Sequence, residues 1–98
     1  MLFRSMEGTA YFIMQDSKGI IWIATKGNGL VRAEQISPTG MSYKLTRYQH
    51  DSNDMYSLSD NNVYCVYEDH HGRIWAATFA GGINYISQGE HEIGRAHV

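Results

Sequence analysis

YFIMQDSKGIIWIATKGNGLVR (Tyr11–Arg32) returns as YCVYEDHHGRIWAATFAGGINY (Tyr64–Tyr85), without a gap and at an offset of 53 residues. Eight of the 22 aligned pairs are identical: Tyr11/Tyr64, Asp16/Asp69, Gly19/Gly72, Ile21/Ile74, Trp22/Trp75, Ala24/Ala77, Thr25/Thr78 and Gly29/Gly82. Unrelated stretches of average composition share about one or two. Chains repeat in this way when one supersecondary unit is stacked many times. The duplication therefore sets the architecture.

Each copy reads as strands separated by turns. Tyr11 to Gln15 and Val63 to Glu68 are rich in β-branched and aromatic residues. Asp16-Ser17-Lys18-Gly19 and Asp69-His70-His71-Gly72 follow them. Asp opening and Gly closing suits a type I turn that ends in a left-handed residue and joins antiparallel strands. Ile20 to Thr25 and Arg73 to Thr78 are the returning strands. The loops Lys26-Gly27-Asn28-Gly29 and Phe79-Ala80-Gly81-Gly82 supply residues that tolerate positive φ, with Asn28 standing opposite Gly81. Leu30 to Ala33 and Ile83 to Ile86 read as third strands. Ile36 to Gly40 reads as a turn, and Tyr43 to His50 as a more exposed fourth strand.

The expected fold is all-β: two consecutive four-stranded antiparallel blades of a β-propeller, the second incomplete with three strands. The first strands are apolar on both faces, and such a sheet must be covered on both sides. Blades stacked around an axis meet that demand. Trp22 and Trp75 are expected to fill the wedges between successive blades. The boundaries read as a tail over 1–9, a first blade over 10–50, a connector over 51–62, a partial second blade over 63–87 and a tail over 88–98.

Bulk properties exclude several functions. The net charge of −2 and pI near 6.2 provide no field for nucleic acid or an anionic membrane. Cys65 is the only cysteine, so no internal disulfide forms, and the redox compartment stays open. The longest apolar stretch, Ile20 to Thr25, is too short to span a bilayer. Met1 to Ser5 has no signal-peptide core, so any targeting segment is expected outside this chain.

Over most of Tyr11 to Ile86 the chain resembles the two-component regulator propeller repeat. Ile13-Met14-Gln15-Asp16-Ser17-Lys18-Gly19-Ile20-Ile21-Trp22-Ile23-Ala24-Thr25 carries its pattern once. Val66-Tyr67-Glu68-Asp69-His70-His71-Gly72-Arg73-Ile74-Trp75-Ala76-Ala77-Thr78 carries it again. The segments Tyr48 to Asp54 and Ser57 to Val63 resemble the linker between such repeats. The resemblance implies the periplasmic part of a membrane-bound sensor, in many cases a hybrid histidine kinase of Bacteroidetes. It implies a homodimeric parent that senses oligosaccharides and switches on genes for glycan use. Neighbouring blades of the same chain would be partners, and the membrane would be met only through the parent. The ends, Met1 to Ser5 and Glu92 to Val98, resemble translations of a sequencing adapter. They are expected to be non-native.

Candidate chemistry divides between scaffold and variable positions. Asp16, Gly19, Trp22, Thr25 and Gly29, with Asp69, Gly72, Trp75, Thr78 and Gly82, occur in both copies and are assigned to folding. Paired acids for glycoside hydrolysis are a poor reading of Asp16 and Asp69, since a catalytic group would occur once rather than in every copy. His70-His71 reads as a solvated turn whose neighbouring rings diverge, so no metal and no cofactor are expected. Cys65 aligns with Phe12 and reads as a buried apolar position. Lys26, Asn28 and Phe79 differ between the copies in the loops that line propeller faces. They are the ligand-binding candidates: Lys and Asn hydrogen-bond hydroxyls, and an aromatic ring stacks on a sugar face. Tyr43, Tyr48 and Tyr56 are weaker candidates of the same kind. His50, in the linker, is the nearest approach to a catalytic residue, so no catalytic activity is expected. An enzyme or a protein-binding propeller is the alternative.

Overall fold

Strands form where apolar residues alternate with turn-formers, and they return on themselves at each Asp-x-x-Gly. The computed structural model describes residues 9–37, 42–55, 57–86 and 93–96. It contains β1 (Thr9–Gln15), β2 (Ile21–Lys26), β3 (Leu30–Gln35), β4 (Tyr43–Tyr48), β5 (Val63–Glu68), β6 (Ile74–Thr78), β7 (Gly82–Ile86) and β8 (Ile93–Ala96). They make two antiparallel meanders in the orders β1-β2-β3-β4 and β5-β6-β7-β8. The fold is therefore all-β and built of two blades. The turn expected over Ile36 to Gly40 falls partly, and Tyr56 and Met1 to Ser5 wholly, outside the described residues.

One strand exceeds the expectation. The second sheet has a fourth member, β8, paired with β7 from Ile83↔Ala96 to Ile86↔Ile93. Pairing across a sheet edge uses backbone N–H and C=O groups that every extended segment carries, so side-chain pattern alone does not forecast it.

The sheets stack in one sense. β5 packs against both β1 and β2, so the blades converge at their first strands. The first blade contributes the face bearing Trp22, Ala24 and Leu30; the second contributes the face bearing Val66, Ile74, Ala76 and Ile86. In repeat coordinates these are opposite faces, since Trp22 corresponds to Trp75 and Ala76 to Ile23. Such a head-to-tail contact leaves the Trp75 face of the second blade as the place where a third would dock. Trp22 accordingly fills the wedge at 1 % exposure. Trp75 is only half-buried, beside the exposed Tyr67 and Ile83. The difference lies in the neighbour, not in the residue.

Two hydrogen bonds also join the blades at the turn end. Glu68, at the end of β5, accepts the Ser17 amide at 2.9 Å and the Ser17 hydroxyl at 2.6 Å. At the other end Leu58 of the connector is fully buried in the shared core.

Candidate functional site

The Asp-x-x-Gly-x-x-Trp segment builds the same cage twice. Asp16 Oδ1 accepts the amides of Lys18 and Ile20, and Oδ2 accepts Trp22 Nε1 at 2.8 Å. Asp69 Oδ1 accepts the amides of His71 and Arg73, and Oδ2 accepts Trp75 Nε1 at 2.9 Å and Arg73 Nε at 2.8 Å. Gly19 and Gly72 close the turns at φ +84° and +79°. Both oxygens of each carboxylate are thus engaged in holding the turn and the indole. At Asp69 some loss of hydration pushes the pKa up. The Trp75 indole, the Arg73 and His71 amides and the Arg73 guanidinium outweigh it and hold the carboxyl well below the usual range.

The rings of His70 and His71 do not diverge; their centroids lie 4.0 Å apart. Both stand exposed on the tight turn, which brings successive side chains over the same side. Among the described residues no three His, Cys, Asp or Glu side chains gather as a metal site. Cys65 and Phe12 are not buried either: Cys65 is half-buried and Phe12 39 % exposed. Each lies on the first strand of its sheet, which has a neighbour on only one side.

Loops of both blades gather at the opposite end, and the connector holds them. The Gly29 amide donates to Asn61 O at 2.8 Å, and the Phe79 amide to Asn62 O at 3.0 Å. Two successive peptide units thus anchor the β2–β3 loop of one blade and the β6–β7 loop of the next. Asp60 Oδ2 accepts the Ala80 amide at 3.0 Å, and Asn84 Nδ2 donates to Ser59 Oγ at 2.7 Å. A Cβ on Gly81 would collide with Ser59. Asn28, its counterpart, keeps the same backbone bond to the preceding threonine: Asn28 N to Thr25 Oγ1 at 3.2 Å, Gly81 N to Thr78 Oγ1 at 3.0 Å.

Positive φ falls on Gly27 and Gly29 in the first loop and on Gly82 in the second, and no described non-glycine residue adopts it. Tolerance of the left-handed region therefore does not explain Asn28. Contact with the connector explains Gly81.

Of the three loop candidates, Phe79 enters a cluster. Its ring, 62 % exposed, lies 5.7 Å from Tyr11 at 60° and 5.0 Å from Tyr64 at 54°. Tyr11 and Tyr64 are themselves exposed, at 43 % and 45 %. Both occupy β-bulges. The β1–β2 register skips between Ala10 and Phe12, and the β5–β6 register between Val63 and Cys65. A bulge leaves one residue unpaired and re-aims its side chain. Lys26 is exposed and continues the Trp22–Ala24 side of β2, which leads it to the rim of the inter-blade wedge. Tyr43 and Tyr48 lie apart on β4. Tyr48 stacks on Trp22 at 6.2 Å, and burial pushes its pKa up against the opposing pull of Arg32. His50 is tied into the connector, with Nδ1 2.8 Å from Leu58 O and its amide donating to Asn61 Oδ1.

The bulge tyrosines escape a reading in which identity between copies means folding. They are identical yet exposed, and nothing in the strand pattern announces the bulge that aims them. A sequence signal does exist: an aromatic repeated at the start of an edge strand where no buried partner is needed.

The chain matches the family described as two component regulator propeller at residues 6–27 and 57–80. It is 30 % identical over 76 residues to "Histidine kinase P4" of Formosa agariphila. That alignment takes in 78 % of this chain and 5 % of the relative, so the chain spans a small part of that protein's length. Each match runs through one Asp–Trp cage and reaches the loop that follows it, so the chain carries two copies of the two-component regulator propeller repeat.

Proposed function

We propose that this chain is a non-catalytic stretch of the extracytoplasmic sensor propeller of a two-component signalling protein, and that the propeller recognises oligosaccharides. The aromatic cluster of Tyr11, Tyr64 and Phe79 supports this reading most directly. Three exposed rings at a loop-bearing end suit the apolar C–H face of a pyranose, and the carboxylate and amide groups of Asp60 and Asn62 lie on the same connector as hydroxyl partners. In the parent, capture would drive signalling only if the ligand preferred one arrangement of a homodimer over another. The same reading places the propeller in the periplasm and the transmitting helices and kinase elsewhere in the parent.

A microarray of defined neutral and acidic oligosaccharides, probed with this chain, tests the reading. Saturable binding by a subset, reduced in Phe79→Ala, is the expected result. No binding by any glycan, with cleavage of one in a parallel assay, would instead favour a propeller enzyme.

A further inference from the structure

Tyr11 and Tyr64 are identical in the two copies, exposed, and each the unpaired residue of a bulge in the same register. Burial does not account for an exposed identity, and the pairing of the sheet passes over it. Their rings meet through a third, Phe79, that the two copies do not share. Tyr11 belongs to the first blade; Tyr64 and Phe79 belong to the second. The cluster therefore straddles the joint between blades.

Three other features fix that joint. The Trp22 wedge fills its middle, the Glu68–Ser17 bonds close the turn end, and the Asn61 and Asn62 carbonyls hold a loop from each side.

We propose that the bulge tyrosines and Phe79 form one saccharide-stacking subsite across the blade joint, so that an occupied site holds the two blades together. This rests on the oligosaccharide reading above and adds to it which residues make the platform and what occupancy does. A pyranose laid on Phe79 touches Tyr11 only when the blades are docked as they stand here. By linkage, whatever loosens the joint weakens the ligand, and the ligand tightens the joint by the same factor. Because the bulge tyrosine recurs with the repeat, the subsite would recur at each joint. The variable residue of the following loop would then tune each site.

The test uses this chain and the oligosaccharide that binds it most tightly on the microarray, titrated by calorimetry. Tyr11→Ala, Tyr64→Ala and Phe79→Ala each remove an exposed ring and are expected to weaken binding about ten-fold. Tyr67→Ala, an exposed aromatic outside the cluster, is expected to leave binding unchanged. Glu68→Ala lies at the far end of the joint. It is expected to weaken binding several-fold and to shrink the rise in melting temperature that a fixed concentration of oligosaccharide produces. Near-ultraviolet circular dichroism of the tryptophans checks that each ring variant keeps the joint packed. Binding that survives all three ring deletions would overturn the subsite. Binding that needs the rings but ignores Glu68→Ala would overturn the coupling alone and leave oligosaccharide recognition standing. Absence of binding by every glycan would overturn both.

Discussion

Asp16 does more than turn the chain: one carboxylate satisfies two amides and the indole of a tryptophan at 1 % exposure. Removing it strands those donors in the wedge, and each stranded buried donor costs about 1–3 kcal/mol. Asp16→Ala is expected to lower stability by about 3 kcal/mol in a denaturant titration, with a smaller loss for Asp69→Ala, whose surroundings admit water. Asp69 also predicts a pH response. Its pKa is depressed in the folded chain, so its contribution is complete above the unfolded value near about 4 and shrinks as the pH falls from there toward the folded value. The denaturation midpoint of the wild type is expected to fall on acidification below about pH 4, and Asp69→Asn to flatten that fall. The Asp-x-x-Gly turn was legible because both copies print it. The indole bond was not, since nothing in the spacing says that Trp22 Nε1 faces Oδ2.

At the scale of the element, two glycines with the same φ are held by different constraints. Gly29 and Gly82 stand at +80° and +78°. A Cβ on Gly29 would strike the carbonyl of Tyr48, whereas one on Gly82 meets nothing within 4 Å. Gly82→Ala is expected to cost about 1–2 kcal/mol, the price of the left-handed backbone alone. Gly29→Ala is expected to cost clearly more, measured in the same denaturant series. Strand order and sheet content could be read from apolar runs and turn residues; β8 could not, because an edge accepts any extended backbone. The tyrosine bulges were equally hidden. A skip in register leaves no mark in a gap-free repeat, so the sequence does not single out Tyr11 and Tyr64 as site residues.

For the whole molecule, the stacking sense is the governing feature. The second blade presents Tyr67, Trp75 and Ile83 where the first half-buries Met14 and fully buries Trp22 and Leu30. The isolated chain is therefore expected to self-associate or to melt broadly, and sedimentation velocity with thermal denaturation checks it; a cooperative monomer would contradict the stacking argument. Leu58→Ala is expected to cost about 3 kcal/mol, since that connector residue is fully enclosed by both sheets. The propeller class was visible in the repeat. The joint was not, because which connector group meets which loop depends on folding in three dimensions. One consequence reaches beyond stability. Asn61 and Asn62 hang neighbouring loops from consecutive carbonyls, so losing or gaining a residue there would pull both out of step. Length variation among kindred modules should accordingly concentrate upstream, around Gln49 to Met55, and spare this dipeptide.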